Sequence, residues 1–464
     1  MIDYLDNQYL MSRLQSFSDC LTERLIKKPQ ESFNGTESSY WLCDLDDYVA
    51  TVKEINRAES LGNAVVYWIN QAVSEQGLPL QMGNVYFWRC DEYIMGLSRL
   101  IKWNIEKEFL LKALKNAIHS LLQWIHESGE YYSIYYPKMK FYLPITFSQG
   151  GGTLEALWNV SFDIEEDEPE LSKEIRRKVH RSLEFWQNSR YFLNYGLFPC
   201  KEGKILKFGH LLSHQSTDGA YAHANNCGIY TPASKAVLDN FKLIYRISHS
   251  LRTSLFAKIM KDNSNLAYAF LTVGSSYTER YSNTINKWIS RMNQIELQGL
   301  TPMYWHPYYG PSKPELKVSH THLSFLINYY WLIEKDEEKI DLAVKITKLV
   351  LKKFRMRNGL LAERSDEAAT YFDSQTDMCV ALCKLSEITG DPKWHQEAID
   401  LTIKARKYHD SKEGYVLSVD DKGDIVNPTV SPRFNFLHAK SQIALENVGN
   451  IRTNKNVFDS LEDR

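Results

Sequence analysis

Trp41-Leu-Cys-Asp44 and Trp88-Arg-Cys-Asp91 repeat one W-x-C-D pattern, 47 residues apart. Each copy opens a segment with helical apolar spacing, residues 44–58 (DLDDYVATVKEINRA) and residues 88–103. Each is followed by a second helical segment, near 61–76 and 106–128, that is longer or more charged. A duplicated helix pair is the reading, and the alternation continues. More apolar segments recur near 150–160, 231–247, 320–334, 376–390 and 435–449. Charged partners lie near 171–188, 277–292, 339–354 and 394–408, and a further hairpin is placed near 265–276. Leu110, Leu111, Leu114, Ile118 and Leu122 illustrate the period: recurrence at three and four residues puts them on one helix face. Strand-like alternation is rare and brief. Periodic helix pairs that bury one another's faces predict an all-α closed or solenoidal array. Neither a Pro/Ser-rich linker nor a low-complexity block interrupts it. One domain over residues 1–464 is expected, with ordered repeats from about 40 to 449 and frayed ends.

Composition narrows the partners. The 464 residues carry 55 basic and 57 acidic side chains, a net charge of −2, which argues against a nucleic-acid-binding face. Aromatic content is high, with 28 Tyr, 20 Phe and 11 Trp. Seven cysteines without a C-x-x-C pair do not make a disulfide scaffold, and a reducing, cytoplasmic location is expected. MIDYLDNQYL at the N-terminus has acids where a signal peptide carries positive charge. Nowhere does an uninterrupted apolar run reach the roughly 18 residues of a membrane span.

The alternation of inner and outer helices, with aromatic and acidic residues ahead of the inner ones, resembles the α/α toroids of six to seven helical hairpins. That group includes glucoamylase-like and trehalase-like glycosidases, unsaturated glucuronyl hydrolases, sugar epimerases and several polysaccharide lyases. The resemblance spans about residues 40–449 as architecture. It implies that the loops leading into the inner helices converge on one mouth, and that the substrate is a small sugar or an oligosaccharide.

Residues at those loops are of the types that stack on sugar rings and bond their hydroxyls. Candidates for substrate contact are Trp41, Trp88, Arg89, Tyr221, Asn225, Asn226, Trp305, His306, Tyr309, His322 and Gln375. Glycoside hydrolysis needs a carboxylic acid to protonate the leaving oxygen and a carboxylate to act from the other face. Asp46, Asp91, Asp218 and Asp373 are the candidate carboxyl groups, with His223 as a further acid or base. Trp88, Arg89 and Asp91 resemble the aromatic-Arg-Asp approach to glucoamylase-like inner helices, where Trp and acid contact sugar. Asp218-Gly-Ala-Tyr-Ala-His-Ala-Asn-Asn226 is similar to segments of toroid lyases. That likeness implies uronate neutralisation by Asn225 or Asn226 and proton removal by His223 or Tyr221. Asp44-Leu-Asp-Asp47 resembles the DxDD pattern of class II terpene cyclases, which implies Asp46 as a proton donor to an isoprenoid. A non-catalytic sugar-binding scaffold is the fourth reading.

Neither a metal nor a cofactor is expected. His320-Thr-His322 has a spacing that points the two rings apart on a helix. Gly150-Gly-Gly152 is followed by no GKS or GKT, and no GxGxxG follows a strand. The leading expectation is a glycosidase-like enzyme working by acid/base chemistry in an aromatic-lined cleft.

Overall fold

The computed structural model describes residues 40–52, 58–81, 83–143, 146–198, 201–202, 258–276, 278–299, 304–306, 310–311, 313–332, 336–366, 368–411, 414–430 and 432–451. Helices dominate them. In chain order they are α1 (Leu45–Val52), α2 (Ala58–Ala72), α3 (Asp91–Lys102), α4 (Lys107–Trp124), α5 (Gly151–Asp163), α6 (Pro169–Gln187) and α7 (Arg190–Tyr195). There follow α8 (Met260–Ser276), α9 (Thr278–Gly299), α10 (Leu316–Leu332), α11 (Glu337–Phe354), α12 (Phe372–Thr389), α13 (Pro392–His409) and α14 (Pro432–Ile451).

Seven of these helices form a closed ring. Each packs on the next in the order α1, α3, α5, α8, α10, α12, α14, and α14 returns to α1. Five of the others back onto the ring: α4 lies against α3, α6 against α5, α9 against α8, α11 against α10 and α13 against α12. The ring helices are walled in on three sides, by two neighbours and one outer partner. For α5 and α10 this accounts for an apolar composition, since a helix buried nearly all round loses the one-sided pattern of a surface helix. Leu154, Leu157, Trp158 and Val160 of α5, all buried, are an example. Outer helices keep one wet face and need charge there. Helix α6 carries Lys173, Arg176 and Arg177 beside buried Ile175, Val179 and Leu183.

Close packing has a local requirement at the α5–α8 seam. A Cβ on Gly151 would stand 2.4 Å from Leu266 Cα and 2.5 Å from its nitrogen, so only glycine lets the two backbones approach.

All described strands lie in the links from an outer helix to the next ring helix. β1 (Val85–Tyr86), β2 (Ile134–Tyr136) and β3 (Phe141–Leu143) form one antiparallel sheet. β4 (Thr146–Phe147) pairs β5 (Lys201–Glu202). β6 (Lys258–Ile259), β7 (Tyr304–His306) and β8 (Gly310–Pro311) form another. β9 (Ala369–Tyr371), β10 (Asp410–Ser411) and β12 (Ile425–Val430) all pair β11 (Gly414–Asp420). These short sheets gather at the end where the ring helices begin, and they rim one mouth.

The helical alternation follows the sequence expectation closely, with two corrections. The fourth ring helix is α8, at the place where a further hairpin was expected. The segment 231–247 lies outside the described residues. Helices α10 and α12 each begin four residues earlier than their patterns suggest. Leu316 N–H bonds Glu363 O, fixing the start of α10, and β9 runs straight into Phe372. His320 and His322 are therefore inside a helix.

Candidate functional site

Adjacency of α1 and α3 in the ring brings the two W-x-C-D copies together. The Arg89 guanidinium lies 3.6 Å from Asp44 Oδ1, and its Nε donates to Gln81 Oε1 at 3.2 Å. Cys43 and Cys90 share this seam, and burial pushes both thiols far above their ordinary range.

Asp91 is the first residue of α3. Burial raises its carboxyl to about 6, against the lowering effect of the Glu92 backbone N–H and of Arg89. The neighbouring helix α5 leaves a gap for it. A Cβ on Gly152 would stand 2.6 Å from Asp91 Oδ2. One turn further along α5, Glu155 Oε1 accepts a hydrogen bond from Thr272 Oγ1 at 2.7 Å. Burial raises the Glu155 carboxyl to about 7, with the negative charge of Asp91 adding to the effect. Two carboxyl groups on adjacent ring helices are thus both raised, and the charge of Asp91 bears on Glu155.

Polar groups continue round the inner wall. The Tyr268 hydroxyl of α8 donates to Thr321 O of α10 at 3.4 Å, and bonds to Ser324 and Asn328 help to hold it. Ser324 Oγ lies 3.1 Å from His320 Nε2. On the other side, Lys440 Nζ of α14 donates to Asp47 Oδ1 of α1 at 2.9 Å. Asp47 keeps that ammonium charged, and Asp377 of α12 and Glu92 of α3 add to the effect. Helix α3 does not adjoin α14 in the ring, so charges from α3, α12 and α14 meet inside it.

A second group sits at the α10–α12 seam. Lys317 Nζ lies 2.7 Å from Asp373 Oδ2, and Ser374 N–H donates to Asp373 Oδ1 at 3.0 Å. Ser374 Oγ donates to Glu363 Oε2. Burial raises the Glu363 carboxyl to about 7. Ser374 and Lys317 oppose that shift, whereas the charges of Asp373 and Glu315 reinforce it.

Other sequence candidates are placed as follows. Trp88 is half-buried, 5.0 Å from the Tyr86 ring and 5.5 Å from that of Phe147. Trp41 is 4% exposed and edge-on to Tyr48, a core position. Asp46 Oδ1 is 2.9 Å from Arg99 Nε of the adjacent ring helix. The Gln375 amide nitrogen donates to Leu361 O at 2.8 Å and Thr370 Oγ1 at 2.5 Å, while its oxygen accepts from Leu361 N. Those bonds fasten the preceding loop to α12. His322 is fully buried, its ring 5.4 Å from Trp288 on the outer helix α9, and burial pushes its pKa down to about 3. It faces the outer layer. Trp305 and His306 lie on β7. Asp218, Tyr221, His223, Asn225, Asn226 and Tyr309 lie outside the described residues.

Glu155, Tyr268, Lys317 and Glu363 were not among the sequence candidates. For two of them a signal exists. Gly152, Glu155 and Asn159 form a polar stripe on the otherwise apolar α5, as do Lys317, Thr321, Ser324 and Asn328 on α10. A polar stripe on a helix buried on its other faces marks the inside of a ring.

No protein-family model matches the sequence, and no curated protein is significantly similar to it. Solved structures do match in fold. The α-1,2-mannosidase from Trichoderma reesei has 10% identity, with 95% of this chain and 94% of that one covered at a TM-score of 0.57. A D-mannose isomerase has 10% identity, covering 84% and 98% at 0.55. The cellobiose 2-epimerase from Spirochaeta thermophila has 10% identity, covering 86% and 98% at 0.54. The chain is an α/α toroid.

Proposed function

We propose that the protein is a carbohydrate-active enzyme, and within that class a glycoside hydrolase working at the Asp91–Glu155 seam. The observation that carries this reading is a pair of carboxyl groups on adjacent ring helices, both raised above the ordinary carboxylate range, with Glu155 held by Thr272 Oγ1 at 2.7 Å. Glycosidic oxygens leave as alkoxides unless protonated, and a carboxylic acid that keeps its proton at pH 7 supplies this. Glu155 is the proton donor. Thr272 orients its carboxyl, and the adjacent negative charge of Asp91 raises its proton affinity. Asp91 also supplies negative charge beside the sugar ring as positive charge develops there.

The structural neighbours described above are sugar-acting enzymes by name, which supports a sugar substrate. Asp46 is ion-paired with Arg99 of the adjacent ring helix, so the acid of the terpene-cyclase likeness is engaged within the ring. Buried free thiols at Cys43, Cys90, Cys379 and Cys383 support a reducing, cytoplasmic setting. Among the described residues no helix is long and apolar enough to cross a membrane.

The test is a turnover screen of purified protein on aryl glycosides and oligosaccharides, with Glu155→Gln alongside. Hydrolysis reduced by about 10²–10⁴-fold in Glu155→Gln is expected. Conversion of a free sugar to its epimer or ketose, without hydrolysis, would move the reading to isomerase chemistry.

A further inference from the structure

The two carboxyl-bearing seams lie on opposite sides of the ring. Between the α3–α5 and α10–α12 seams stands α8 one way round, and α14 and α1 the other. Both seams are at the ring-helix N-terminal end, since Asp91 opens α3, Glu155 is one turn into α5, and Asp373 opens α12. A sugar held in the mouth between them has the proton donor on one side and Asp373 on the other.

The surroundings of the two seams differ in sign. Glu155 has the negative charge of Asp91 near it, whereas Asp373 is ion-paired with an ammonium at 2.7 Å and accepts a backbone N–H at 3.0 Å. The charged and titratable groups around Asp373 are Lys317 from α10, Glu363 and Glu315 from the links before α12 and α10, and His409 from α13. Ser374 ties two of these together, its N–H on Asp373 and its hydroxyl on Glu363. The side chain of Glu363 thus fixes Ser374, and through it the start of α12.

We propose that Asp373 is the carboxylate that activates water in this reaction, with Lys317 and Glu363 as positioning residues that hold and aim it. The assignment rests on the glycoside-hydrolase reading and gives it its second half. Asp373 takes a proton from water as the water oxygen bonds to the anomeric carbon. The bond from that carbon to the leaving oxygen breaks, its electron pair stays on that oxygen, and the oxygen takes the proton of Glu155. The products are a reducing sugar and an alcohol. Proton exchange with solvent restores both carboxyl groups. Attack from the side opposite the leaving group inverts the anomeric centre.

Leaving-group dependence separates the two roles. Glu155→Gln should retain most of its turnover on a 2,4-dinitrophenyl glycoside, whose leaving group needs no proton, and lose it on an alkyl glycoside. Asp373→Asn should lose at least about 10²-fold in kcat on both. Proton NMR of the first-formed product should show the inverted anomer. Lys317→Met should lower kcat more than it changes KM, with Lys317→Arg restoring it. Glu363→Ala should do the same, with Glu363→Gln, which still accepts from Ser374, restoring it. Wild-type kcat in Asp373→Asn, or a retained anomer, overturns the assignment and leaves the hydrolase reading standing.

Binding covers a chain that hydrolyses nothing. Calorimetry with the cationic sugar mimic 1-deoxynojirimycin should give at least about tenfold weaker affinity in folded Asp373→Asn. Equal affinity overturns the Asp373 assignment alone. A wild-type chain that neither turns over glycosides nor binds the mimic overturns both.

Discussion

Glu155 shows how one buried group sets activity and stability in opposite directions. Its folded pKa of about 7 lies above the ordinary value of 4.5, so the folded state binds the proton more tightly than the unfolded chain. The carboxyl group therefore destabilises the fold progressively as pH rises from 4.5 through 7. Glu155→Gln should melt higher than wild type at pH 8 and about equally at pH 4, while losing turnover. Equal melting shifts at both values would contradict this. His322 has the opposite pH sense. Its imidazole is neutral in the fold, with a pKa of about 3 against an ordinary 6.5. Below 6.5 the unfolded chain takes up a proton that the core refuses, so stability present above 6.5 is lost as pH falls toward 3. The slope reaches about 1.4 kcal/mol per pH unit. His180 and His409, each lowered to about 4 by burial, add to the same loss. Urea titrations at pH 7 and pH 4.5 should show a smaller drop in stability for His322→Phe than for wild type.

Adjacent glycines at the start of α5 serve different ends. Gly151 lies against the Leu266 backbone and Gly152 against the Asp91 carboxylate. Gly151→Ala should destabilise the fold by about 1–3 kcal/mol, measured by urea denaturation. Gly152→Ala should displace Asp91, cutting turnover at least tenfold with a smaller stability cost. Equal effects of both substitutions on both measurements would deny the distinction. This is also where sequence reading stopped short. The purpose of the triplet depends on what α3 and α8 bring against it from elsewhere in the chain. Helical alternation was legible because burial of a helix leaves a period in its own residues. Asp91 stood out in the sequence as the acid that ends a repeated motif and opens a helix. Glu363 did not, because its significance comes from Lys317 and Asp373, 46 residues before it and 10 after. Gln375 looked like a mouth residue and is spent on its own loop, a use that only the fold around residues 361–370 discloses.

At the scale of the whole molecule, closure separates this ring from an open solenoid. Removing a terminal repeat from a solenoid subtracts one interface. Removing α14 here exposes the faces of α12 and α1 at once, along with the inner wall between them. A chain ending at residue 431 should lose cooperative unfolding and bind a hydrophobic dye at 25 °C, rather than melt a few degrees lower. A sharp two-state melt of that truncated chain would argue that the ring is not the folding unit. The aromatic richness of the sequence also resolves at this scale. Stacked pairs such as Phe87–Tyr131 at 4.4 Å and Phe372–Tyr415 at 4.5 Å pack the links between helices at the mouth end. Much of that content therefore builds the rim, and Trp88 remains half-buried there.

The contact between Lys440 and Asp47 joins residues 393 positions apart. During synthesis, the first ring helix leaves the ribosome long before its final neighbour exists. At about 5–20 residues per second, the interval is on the order of tens of seconds. Over that time α1 carries an uncovered apolar flank through each successive addition. The nascent chain must be shielded or slow to aggregate until α14 seals the ring.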